Sequence, residues 1–111
     1  MNPMIKAEWI TALRSGDYKQ SRFALKQGDE FCCLGVLCDI VKSKVNGSWI
    51  GLIHSDRDAF CINGHAGPVS TLPLEVRNLT GLMGLEENTL VGKNDAGETF
   101  ERIADYIEKE I

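Results

Sequence analysis

The sequence has little of what marks most specialised small proteins. No apolar run approaches the roughly 20 residues of a membrane span. Twelve Lys plus Arg stand against sixteen Asp plus Glu, a net charge of −4. That acidic balance argues against a chain that tracks nucleic-acid phosphates through clustered cations. Four cysteines in 111 residues are too few for a disulfide-built scaffold. There is no Cys-x2-Cys pair of the structural-zinc kind and no Gly-rich cradle of P-loop or dinucleotide type. Internal repeats and low-complexity tracts are also missing. The start, Asn2 to Trp9, carries Lys6 and Glu8 where a secretory leader needs about 7–15 uninterrupted apolar residues. The expected location is therefore the cytoplasm, with Cys32, Cys33, Cys38 and Cys61 as free thiols.

What remains is ordinary globular usage, 43% hydrophobic and 25% charged, which places the chain among folded domains. At this length it buries about two-thirds of its unfolded surface, enough for one modest core, and one domain over residues 1–111 is expected. Asn2 and Pro3 start a helix over 3–14, with Ile5, Trp9, Ala12 and Leu13 on one face and Gly16 after it. Arg22–Leu25 and Glu30–Cys33 flank a Gln27-Gly28-Asp29 turn as a short hairpin. Residues 33–45 form a helix apolar around most of its circumference, the signature of a central, buried element. Gly35 inside it marks a close approach of backbone or ligand, and Asp39 needs a partner such as Lys19 or Arg22. Residues 49–53 and 59–62 read as strands, with Asn63-Gly64 turning after the second. Thr71 caps a short helix ending before Gly81, and residues 88–91 are a brief extended piece. Thr99 or Glu98 opens a last helix that carries Phe100, Ile103, Ala104, Ile107 and Ile111. The expected fold class is α+β: three to four helices around a small antiparallel sheet, with helix 33–45 central.

Three segments taken together, Trp9-Ile10-Thr11-Ala12-Leu13-Arg14-Ser15-Gly16-Asp17-Tyr18-Lys19-Gln20, Phe31-Cys32-Cys33-Leu34-Gly35-Val36-Leu37-Cys38-Asp39 and Asn94-Asp95-Ala96-Gly97-Glu98-Thr99-Phe100, resemble a family of small uncharacterised proteins common in tailed phages and prophages. The likeness covers nearly the whole chain. The chain is also faintly similar to a bacterial domain of unknown function in which a Cys-Leu-Gly-Ala element precedes an Asn-Asp pair. The resemblance implies a viral or prophage setting and brings no activity, cofactor or site residue with it.

Four constellations could carry chemistry. Cys33 or Cys32 at a helix start, with His54 or His65 as base and Asn94 or Asp95 to orient it, would make a minimal Cys-dependent hydrolase or transferase. The plainer role for these thiols is as small apolar core residues, and it is favoured. His54, Cys61 and His65 with Cys32 or Cys33 lack zinc spacing, so neither a metal nor a cofactor is expected. Asn94-Asp95-Ala96-Gly97-Glu98-Thr99 is foremost a polar capping loop, and its amide and carboxylate would also suit ribose hydroxyls or an amide edge at a pocket rim. In residues 17–22, Lys19 and Arg22 could hold phosphate, Gln20 a base or ribose, and Tyr18 a stacked ring. A solvated loop with Tyr18 against Trp9 is weighted equally.

The favoured function is a small phage-type binding protein. Its ligand site would comprise Tyr18, Lys19, Gln20, Arg22, Asn94 and Asp95. It would capture a nucleotide-like host signal used in defence, or dock on a host protein. The enzyme built on Cys33 and His54 is the alternative, and a structural or homo-oligomeric accessory role is a third class. No membrane partner is expected, and a nucleic-acid partner is disfavoured by the charge.

Overall fold

The computed structural model describes residues 1–111 and gives five α-helices and a six-stranded, mostly antiparallel sheet, an α+β fold. Helix α1 (Pro3–Arg14) starts on the Asn2 side chain, whose Oδ1 accepts the N–H groups of Met4 and Ile5. Short strands β1 (Lys19–Gln20), β2 (Lys26–Gln27) and β3 (Glu30–Phe31) follow, then helix α2 (Cys33–Val41) and a 3-10 turn over Lys42–Lys44. Strands β4 (Gly47–Gly51), β5 (Asp58–Ile62) and β6 (His65–Ala66) complete the sheet, and helices α3 (Leu74–Thr80), α4 (Gly84–Asp95) and α5 (Phe100–Glu110) close the chain. The strand order is β1-β3-β2-β5-β4, with β6 also on β5. Only β1 and β3 run parallel.

Several elements differ from the sequence expectation, each for a local reason. The hairpin pairs residues 26–27 with 30–31 around Gly28, because residues 21–25 are drawn away to form a loop. The α-helix expected to reach residue 45 tightens to a 3-10 turn after the buried Val41, where Lys42, Ser43 and Lys44 lie outside the core. Residues 88–91 are helical, inside α4, and α3 has Pro73 rather than Thr71 at its N-cap. Asn94 and Asp95 end α4 rather than lying in a loop, while Thr99 caps α5 by accepting the Arg102 N–H.

Helix α2 is central. Seven of its nine residues are buried, and it packs against α1, α4, β3 and β4. The Trp9 indole of α1 donates to the Cys33 carbonyl at 2.9 Å, inside the core. Gly35 is needed because α2 lies directly on the Leu25 carbonyl: a Cβ at residue 35 would overlap that oxygen. The same Leu25 carbonyl accepts the Cys32 N–H at 3.1 Å, so the loop and the helix cannot move apart freely.

Asp39 finds partners other than those expected. It accepts from the Tyr18 hydroxyl at 2.6 Å, the Trp49 indole at 3.0 Å and Lys42 at 3.0 Å. Tyr18 meets the edge of Phe31, which in turn meets Trp49, and Trp49 meets Phe60. This aromatic row covers the sheet side of α2 and accounts for Tyr18 without Trp9. Burial works against the Asp39 charge, but the three donors outweigh it and hold the carboxyl below its ordinary range. Burial, followed by the bond to Asp39, pushes the Tyr18 phenol upward.

This packing sets the cost of three substitutions. Gly35→Ala is expected to destabilise the chain by about 3 kcal/mol or more in urea unfolding. Gly92→Ala, in an exposed part of α4 with open space around it, should stabilise by up to about 1 kcal/mol. Because the Asp39 carboxyl is depressed in the folded state, its network stabilises the protein above the usual carboxylate range and loses that contribution as pH falls through the folded value. Asp39→Asn should therefore lower stability by about 1–2 kcal/mol at pH 7, with the gap to the wild type narrowing towards pH 3 in urea midpoints.

Candidate functional site

The polar groups at the end of α4 serve the neighbouring segments before they serve any ligand. Asn94 is 1% exposed. Its Oδ1 accepts the Cys33 N–H at 3.2 Å and the Gln20 amide at 3.0 Å, and its Nδ2 donates to the Ser21 carbonyl at 2.8 Å. Gln20 also donates to the Glu98 carbonyl at 2.6 Å. Asp95 follows, and its Oδ1 accepts the Phe23 N–H at 2.9 Å. Both residues at the end of α4 thus grip the loop over residues 20–23.

That grip holds Phe23 in an unusual state. Its φ is 67°, in the left-handed region, and its side chain is 59% exposed. A bulky residue there costs of the order of 1–3 kcal/mol and gains nothing from the core in return. The loop is pinned on either side by Asn94 at Ser21 and by the Val69 carbonyl at the Leu25 N–H. Phe23 stands at the mouth of a cavity of about 260 Å³. Ala24, Cys32, Cys33 and Val91 form its apolar walls, with Ser70, Thr71 and Asn88 around the rim. Glu87, Asn94 and Asp95 complete the lining. Glu87 is buried and engaged: it accepts the Leu72 N–H at 2.9 Å and pairs with Arg77 at 2.7 Å.

Of the expected ligand residues, Asn94 and Asp95 line this cavity. Tyr18 is turned to Asp39, Lys19 pairs with Asp29 at 3.1 Å in solvent, and Gln20 is spent on Asn94 and Glu98. Arg22 is exposed and lies on Gly97, where a Cβ would stand 2.6 Å from its Nη2. Cys32 and Cys33 line the cavity as buried walls. Burial raises the Cys32 thiol to about 11 and pushes Cys33 well above its ordinary value, with the Cys33 Sγ against the Leu90 carbonyl at 3.7 Å. His54 sits in the exposed turn between β4 and β5, and His65 lines a separate hollow of about 420 Å³ with Asn63 and Glu75. Neither histidine lines the cavity of Cys33. No three His, Cys, Asp or Glu side chains converge to hold a metal ion, and no helix is long and apolar enough to cross a membrane.

Phe23, Ser70, Thr71 and Asn88 were not among the site residues expected from sequence, although Thr71 was read as a helix cap. Phe23 follows Arg22 in a polar stretch where a single aromatic carries no periodic signal, and its left-handed backbone leaves no trace in composition. Phe23 stands 47 positions before Ser70, and Asn88 another 17 beyond Thr71, so only folding brings them together.

Fold and site together define a small α+β domain with one strained loop closing a ring-sized cavity against the end of a helix. Residues 1–111 match the family model described as Domain of unknown function (DUF8296), and the chain belongs to that family. No curated protein and no solved structure matches it.

Removing the central amide should expose how much the site depends on it. Asn94→Ala leaves the Cys33 N–H and the Ser21 carbonyl without partners in the interior, each costing about 1–3 kcal/mol. A loss of about 3 kcal/mol or more is expected in urea unfolding at pH 7. Gln20→Ala, which removes a part-buried donor, should cost only about 1 kcal/mol.

Proposed function

We propose that this chain is a small binding protein of phage type that captures a nucleotide-like host molecule in the cavity beside Phe23, acting in the host cytoplasm. The observation that carries this reading is Phe23 itself. Strained backbone persists where the surroundings over-determine it, and such positions cluster at ligand clamps. An exposed aromatic ring held at a cavity mouth by a carboxylate is a ready stacking face for a planar ring. The phage setting rests on the resemblance of the three motifs described above.

The Cys-dependent alternative has less support: the cavity thiols are raised rather than lowered, and no histidine stands beside them. Docking on a host protein has one specific feature in its favour, the exposed Met83 and Leu85 at the start of α4, since methionine adapts well to protein partners.

Thermal unfolding against a panel of nucleotides tests the capture reading. A ligand at a hundredfold excess over its Kd adds about 2.7 kcal/mol, a rise of roughly 10 °C for a domain of this size. The rise should vanish in Phe23→Ala. A panel without any shift would overturn nucleotide capture.

A further inference from the structure

The cavity is small and open on one side. Its roughly 260 Å³ lies at the low end of the ~300–1,000 Å³ of common ligand pockets, a fit for one planar ring system with the rest of a ligand at the mouth. Its charges are also of one sign. The only acidic side chains in the lining are Glu87 and Asp95, and no Lys, Arg or His is among the lining residues. Glu87 has both oxygens occupied by Leu72 and Arg77. Asp95 uses Oδ1 for the Phe23 N–H, while its Oδ2 takes no hydrogen bond and no cation lies within 4.0 Å of it. A free carboxylate oxygen in a cavity without cations repels phosphate and accepts from N–H groups.

Arg22 offers the opposite chemistry just outside. Its guanidinium rests on Gly97, two residues beyond Asp95, and pairs with no carboxylate of the chain. An unpaired, exposed guanidinium is a natural seat for a phosphate.

We infer that Asp95 determines which ring is taken: a guanine-type base, whose ring N–H and neighbouring amino group both donate to the carboxylate, enters under Phe23 while its phosphate stays outside on Arg22. Oδ2 receives one of the pair and the second lone pair of Oδ1, which already accepts the Phe23 N–H, receives the other, a planar two-bond arrangement. Adenine presents a ring-nitrogen acceptor at the same place and is repelled by it. The inference rests on the capture reading and sharpens it to one ligand class and one orientation.

Calorimetric titration of the full chain with GMP, IMP, AMP and guanosine tests it. GMP is expected to bind about tenfold or more tightly than AMP, with IMP, which lacks the amino group, in between. Guanosine should bind several-fold more weakly than GMP, and Arg22→Ala should erase that difference. Asp95→Asn keeps an oxygen for the Phe23 N–H but sets an amide NH2 where the free acceptor stood, so its GMP affinity should fall about tenfold or more. Its melting temperature reports whether the loop still folds. AMP binding as tightly as GMP in the wild type would overturn the inference whatever the variants do. Binding that requires Phe23 but ignores the base would overturn this inference alone, and no binding of any of the four would overturn both it and nucleotide capture.

Discussion

The side chain of Asn94 joins three parts of the chain at one buried point. Helix α2 begins inside the protein, where its first N–H groups have no helical partner and no water. Its own N-cap is Cys32, whose sulfur accepts the Gly35 N–H at 3.4 Å, a weak bond from a weak acceptor. Asn94 supplies the Cys33 N–H with an amide oxygen from 61 residues away. The same oxygen accepts from Gln20 and the Nδ2 donates to Ser21, so α2, the strand before the loop and α4 share a single hydrogen-bonded junction. A helix that buries most of its surface can start in the core only because this amide serves its first turn.

The character of the site follows from that junction. Asn94 fixes the near end of the loop, Val69 fixes the far end, and Asp95 takes the N–H between them. A chain held at three nearby points cannot relax Phe23 out of the left-handed region, so the strain is retained and the ring is kept out of the core. Gly35 adds to the constraint by letting α2 sit against the Leu25 carbonyl. The cavity is thus bounded by a loop with little freedom, which lowers the entropy lost when a ligand binds. On the opposite side of α2, Asp39 has a comparable role among aromatic rings, tying Tyr18 and Trp49 to the helix.

The parts of the fold that were legible are those in which local chemistry and tertiary need agree. Asn2-Pro3 and Thr99 cap α1 and α5 because a side-chain acceptor before an apolar repeat satisfies the first N–H groups in any context. The apolar circumference after Cys33 marked α2 as central. Helix α4 was missed because its buried face is Glu87, Leu90 and Asn94, two polar residues and one leucine, which reads as a loop. Those two polar side chains are inside for a reason that local sequence does not contain: one meets Leu72 and Arg77, the other Cys33, Gln20 and Ser21.

The same distinction separates the site residues. Polar side chains near Gln20 and Asn94-Asp95 stand out in the sequence as groups in need of partners, and the structure brings these segments together. It turns Gln20 and Asn94 towards the protein and leaves Asp95 with one free oxygen. By itself the sequence determined the starts of α1, α2 and α5, the central apolar helix, the α+β class and the acidic charge, because caps, periodicity and composition act over a few residues or over the whole chain. Only the tertiary structure decided that Phe23 is strained and exposed, that Arg22 lacks a carboxylate, and that the thiols are walls with raised pKa values. Each of these depends on contacts between segments tens of residues apart, where burial and hydrogen-bond geometry, not residue type, set the outcome.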